Sequence, residues 1–281
     1  MNIRLMVLLL VFGLSGCASL MRSATTPLAD SIRIGIENQT DPEIARSGLP
    51  AYLMLLDGLI AKNPNDAQLL ATGAKLYSGY SALIGDPKRQ ITLAKTAFAY
   101  AERAVCLDLK ALCRAPDAQM ETLNGALDSL QLGQLALASN YAAAWAALIQ
   151  ADSENWDQIA AVPKLTALLG RIVKIDSTYD RGMPALYLGV LSALLPPAYG
   201  GKPEVAKAYF ERAIELSEGR NLMAKTLYAQ FYARMAFDQA LHDRLLNEVL
   251  EAETAADGFG LSNALAQVRA RELKQSGKDY F

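Results

Sequence analysis

Histidine is almost missing from this chain. A single copy, His242, in 281 residues excludes chemistry built on several imidazoles. Cysteine occurs three times, at Cys17, Cys106 and Cys113, too few for a closed four-ligand zinc site. There is no basic surplus either: 27 Lys and Arg stand against 29 Asp and Glu, a formal charge of -2. That balance argues against a nucleic-acid partner, which needs cations to meet phosphate. No Gly-x-Ser-x-Gly elbow, His/Glu zinc helix or calcium loop occurs. Gly200-Gly201-Lys202 lacks the earlier glycine and the following Ser or Thr of a phosphate loop, because Pro196 and Pro203 hold those places. His242, beside Asp243, reads as a solvated or capping side chain on a polar helix face. Neither catalysis, nor a metal, nor any cofactor is expected.

What is present is apolar and helix-forming. Residues of hydrophobic type make up 52% of the chain, which excludes a disordered segment. Alanine and leucine fill 92 of the 281 positions, and both favour helix.

The first residues form an address. Arg4 precedes a ten-residue apolar run, Leu5 to Leu14, which is too short to span a bilayer. Leu14-Ser15-Gly16-Cys17 follows, and small residues before a cysteine resemble the lipobox of bacterial lipoproteins. The resemblance implies a signal peptide over 1–16 and acylation of Cys17. The lipidated tether is then expected over 17–40, followed by a helical domain over 41–281. Ala18 after the cysteine implies sorting to the inner leaflet of the outer membrane, facing the periplasm. No later run of about 20 uncharged apolar residues occurs, so membrane contact is expected through the lipid anchor only.

Cys106 and Cys113 lie seven positions apart in sequence. Outside the cytoplasm such a pair reads first as a disulfide, with free buried thiols as the alternative and a metal site as the least favoured.

From Asp41 onward, helical periodicities follow one another with short punctuation: 50–61, 67–83, 87–107, 117–130, 132–151, 163–175, 183–195, 203–217, 221–237, 242–252 and 261–274. The fold class is all-α, built of stacked helical hairpins, with about eleven or twelve helices. Ala206, Phe210 and Ala213 carry the small–aromatic–small spacing of a degenerate tetratricopeptide repeat, with Leu188-Gly189 on the helix before. Helical aromatics are commonly core, but tyrosines want hydroxyl partners when buried. Tyr77, Tyr80, Trp145, Tyr187 and Tyr228 are therefore the candidates to line a ligand pore.

The stretch from Leu194 through Pro196-Pro197-Ala198-Tyr199-Gly200-Gly201-Lys202-Pro203 to Phe210-Glu211-Arg212-Ala213 resembles the signature of the TRAP transporter TatT component family. The tail from Leu261-Ser262-Asn263 to Tyr280-Phe281 resembles it too, and the likeness extends over about Ile44 to Phe281. The resemblance implies a periplasm-facing lipoprotein accompanying a tripartite transporter. Such a protein forms a homotrimer, has an apolar pore for a small hydrophobic ligand, and partners a substrate-binding protein. Pro197, Tyr199, Gly200 and Gly201 are then candidates for the pore rim or partner contact. The alternative is a tetratricopeptide scaffold for peptides or envelope assembly.

Overall fold

Helix starts in this chain are set by short acidic or amide caps, and the computed structural model follows them. It describes residue 31 and residues 33–194 and 201–281. The first long helix, α1 (Pro42–Lys62), begins where the Asp41 carboxylate accepts from Glu43 N at 2.8 Å, with Pro42 in the first turn. It starts eight residues before the expected Pro50, which lies inside the helix. A capped start outweighs the one backbone bond that an internal proline removes. The same caps open α2 (Ala67–Leu83), where Asp66 accepts from Leu69 N, and α3 (Pro87–Asp108), where Asp86 accepts from Lys88 N.

The chain continues with α4 (Met120–Asp128), α5 (Leu135–Ala151) and α6 (Trp156–Ile175). Asn155 caps α6, so Pro163 is again internal and not the start. A 3-10 turn, Tyr179–Gly182, leads to α7 (Met183–Ala193), followed by α8 (Pro203–Leu216). Helix α9 (Leu222–Leu227) widens into a π-helical turn at Tyr228–Ala233. Asp238 caps α10 (Gln239–Glu251), and α11 (Gly260–Tyr280) closes the series. Together with a short helical stretch at 33–37, the described residues are all-α, without strands. The end of the expected tether is thus helical: Ile36 packs on the core, and Glu37 pairs with Lys75 of α2 at 2.8 Å.

Consecutive helices pair because small residues let them approach. A Cβ on Gly189 of α7 would lie 3.1 Å from the Phe210 ring of α8, and Ala206, Phe210 and Ala213 are all buried. The small–aromatic–small pattern therefore acts as its spacing implies, the ring filling the room left by glycine. Gly73 of α2 serves the same purpose for Tyr100 of α3, whose ring edge would be 2.8 Å from an added Cβ.

Four apolar clusters organise the interior, the fourth of them joining Leu56 and Ile60 of α1 to Leu70 of α2 and Ala104 of α3. One gathers α3, α5 and α6 around Val105, Trp145, Leu165 and Leu169. A second joins α7 to α11 around Phe210, Tyr228 and Leu246. The third brings the ends of the array together, with Leu49, Leu53 and Tyr80 packed against Leu261 and Leu265 of α11. Gly258 N donates to the Asn38 side-chain oxygen at 2.7 Å across 220 positions of sequence. Asn263 bolts the C-terminal half: its oxygen accepts from Leu222 N at 2.9 Å, and its amide donates to Arg220 O and Thr254 O.

Candidate functional site

The five candidate aromatics are distributed over three of the four clusters. Tyr77 of α2 donates to Asp57 Oδ2 at 2.6 Å, and Tyr100 of α3 donates to Oδ1 of the same carboxylate at 2.8 Å. One acid on α1 thus ties three helices. Burial, then the Asp57 hydrogen bond, pushes both hydroxyls up, that of Tyr100 to about 12. Tyr80, one turn further along α2, is buried among Ala45, Leu49 and Leu53, in the cluster against which Tyr77 also packs.

Trp145 is 1% exposed, with its ring 6.2 Å from Phe98 and 5.9 Å from Tyr141. Tyr228 is likewise enclosed, stacked on Phe210 at 5.2 Å, with its hydroxyl donating to Glu211 at 3.3 Å. The structure therefore places Tyr80, Trp145 and Tyr228 in closed core, not on an accessible wall. The physical reason is the density of alanine around them: where helices approach this closely, large rings are what fills the gaps.

Tyr187 differs. It packs against the first cluster yet stays partly open to solvent. Its hydroxyl is pushed up to about 12, by burial first and the Asp180 carboxylate second. Asp180 is exposed, but burial among surrounding protein is also the largest cause of its raised carboxyl; Lys75 and Arg181 oppose the rise and Glu37 adds to it. Lys75, which acts on Asp180, is itself ion-paired with Glu37 at 2.8 Å.

Asp180 and Arg181 hold φ of 48° and 51°, a left-handed conformation that costs non-glycine residues of order 1–3 kcal/mol each. Arg181 is fixed there by donating to Asp257 O at 2.8 Å and by lying 4.1 Å over the Phe259 ring. Sequence reasoning missed Asp57, Asp180 and Arg181. Scattered charges carry no periodic signal, and only the fold brings α1, α2 and the 179–182 turn together.

His242 corrects an expectation outright. It is fully buried, its Nδ1 3.0 Å from Asp243 Oδ1 and its ring 5.1 Å from that of Phe281. The sequence places it beside charged residues, but α11 folds back over that face and covers it. Gly277 permits the approach, since a Cβ there would lie 2.9 Å from the imidazole.

Cys106 at the end of α3 and Cys113 are joined by a disulfide. Cys17, Pro197, Tyr199 and Gly200 lie outside the described residues. Gly201 is half-buried just ahead of α8, where Lys202 N donates to Ser192 O at 2.9 Å and draws the ends of α7 and α8 together. Among the described residues no group of three or more His, Cys, Asp or Glu could hold a metal.

Comparison with known proteins supplies the remaining step. No curated protein matches the chain. The family model for the TRAP transporter T-component matches residues 38–281, which take in every described helix from α1 to α11. That family serves transport as an accessory and is not an enzyme family. With its paired helices and most of its length accounted for, the chain belongs to the TRAP transporter T-component family.

Proposed function

We propose that this T-component is a lipoprotein, acylated at Cys17 and held on the periplasmic side of the outer membrane. It takes a small hydrophobic ligand into a recess that we place beside Tyr187, Asp180 and Lys75, and passes it to the transporter's substrate-binding protein. The transfer makes and breaks no covalent bond. Apolar surface leaving water contributes roughly 25 cal/mol per Å², so a modest ligand is held without the tight capture that would block handover. Pro197, Tyr199, Gly200 and Gly201, between α7 and α8, are the proposed contact with the partner, and a homotrimer is the proposed assembly.

Tyr187 carries this reading: of the candidate aromatics only it and Tyr77 are partly open to solvent, and the Tyr77 hydroxyl is committed to Asp57. The test is titration with a fluorescent fatty acid. Tyr187→Ala removes ring area worth about 1.5 kcal/mol, so affinity should fall about tenfold while the helical circular dichroism stays unchanged. No binding to the unaltered protein, or equal binding by the variant, would remove the recess as the ligand site.

A further inference from the structure

Helix α1 is apolar on both faces. Leu49, Leu53, Leu56 and Ile60 are buried against the fold, as an amphipathic helix requires. The outward face should then be charged, yet it presents Ile44 at 58% exposure, Tyr52 at 42%, Met54 at 71% and Leu55 at 53%. From Ser47 to Ala61 the only carboxylate is Asp57, and both of its oxygens are taken by Tyr77 and Tyr100. Lys62 ends the helix on the face of Ile44, five turns on. Exposed apolar surface of this extent marks an interaction site.

Among the described residues, two helical stretches are long and apolar enough to cross a membrane. The apolar part of Leu132–Ala151 is 50% buried, as expected of a core helix, whereas that of Pro42–Lys62 is only 28% buried. The buried face and the Asp57 bonds hold α1 to α2 and α3, so it cannot leave the fold to span a bilayer. It can lie along one.

We infer that the outer face of α1 rests in the interfacial layer of the membrane that carries the lipid anchor, so that the protein docks by a helix as well as by acyl chains. This rests on the proposed acylation of Cys17. Fourteen positions separate Cys17 from Ser31, at most about 50 Å of extended chain, so the anchor keeps the helix within reach of the bilayer. Tethering of that kind raises effective concentration enough for a weak apolar contact to count. From Ser47 to Ala61 the face offers no carboxylate for an anionic leaflet to repel, and the exposed Glu43 next to Ile44 is paired with Arg46 at 2.9 Å. Tyr52 and the long stem of Lys62 suit the boundary between acyl chain and headgroup. Docking by α1 fixes which side of the hairpin array faces the periplasm.

The test uses the full acylated protein in phosphatidylethanolamine–phosphatidylglycerol vesicles with nitroxide-labelled lipid. An environment-sensitive fluorophore is attached at Leu55→Cys, at Ile44→Cys or, as a control on α6, at Lys174→Cys, with the native disulfide kept oxidised. Flotation with the vesicles reports anchoring independently. Loss of emission to shallow nitroxides at positions 55 and 44, but not at 174, is the expected result. Protein that floats with unquenched α1 probes overturns the docking and leaves the anchor standing. Probes shielded from water, unquenched by lipid and cross-linkable between copies would make the face a protein interface, and overturn it equally. Protein that fails to float overturns anchor and docking together.

Discussion

At the residue scale, most of the candidate site was a question of environment, which residue type does not reveal. Trp145 and Tyr187 are both aromatic and helical, and nothing in their own spacing separates them. Trp145 meets Phe98 and Tyr141 in closed packing, whereas Tyr187, on α7 after a left-handed turn, keeps partial access to solvent. The two substitutions should therefore behave differently. Trp145→Ala removes a fully buried indole and should cost about 3–5 kcal/mol in denaturant unfolding. Asn263 offers a second contrast: its side chain satisfies one backbone donor and two backbone acceptors at 0% exposure. Asn263→Leu leaves those groups unpaired and should destabilise by roughly 2–4 kcal/mol. An unfolding midpoint equal to that of the unaltered protein would mean that water replaces the amide without loss.

One titratable group makes a statement about pH. The Glu248 carboxyl is held below the ordinary glutamate range, chiefly by the hydrogen bond from Lys225 at 2.7 Å and also by Arg244. A depressed folded pKa means that the contribution to stability is fully present above the unfolded value of about 4.3. It is lost as pH falls through the lower folded value. Glu248→Gln should reduce stability at neutral pH and flatten the acid limb of the stability curve. Parallel curves for the two proteins between neutrality and strong acid would contradict this. Both ions are partly exposed, so salt should shrink the difference.

At the element scale, type and order were legible and starts were not. The periodic apolar positions that define α2, α3, α5 and α8 lie where spacing puts them, because these helices bury one clear face. Proline misled twice, at Pro50 and Pro163, since a ring at an internal position looks the same in sequence as one in a first turn. Asp41 and Asn155, both good caps, were the better signals. The loop after α3 is held by the Cys106–Cys113 bond, which closes a short ring. On a chain-entropy basis, such a ring contributes about 2.5 kcal/mol. Replacing both cysteines by alanine should lower the unfolding midpoint accordingly and leave α5 and α6 intact by hydrogen exchange. A loss that spread through the first cluster would show that the bond positions Leu112 and Ala115, both buried there, as well as restraining the unfolded chain.

At the scale of the whole molecule, closure is the feature that no local pattern announces. Repeat arrays usually end in a polar cap, but here α1 meets α11, and residues 33–38 are clasped between the two halves. The clasp depends on a missing side chain: a Cβ on Gly260 would come within 2.7 Å of Asn38 O, a backbone atom that cannot rotate aside. Gly260 has no positive φ, so alanine is admissible to its own backbone and the clash is with the other end of the chain. Gly260→Ala should therefore push the 33–38 segment outward. The Asn38–Gly258 hydrogen bond would break, and the Glu37–Lys75 pair beside the recess would loosen. The expected signature is faster proteolysis and faster amide exchange ahead of α1, with the second cluster unchanged. Because Glu37 and Lys75 both act on Asp180, ligand affinity at the proposed recess should shift in the same variant. If closure is loosened and affinity holds, the recess belongs to α7 and its turn alone, and the clasp serves stability only.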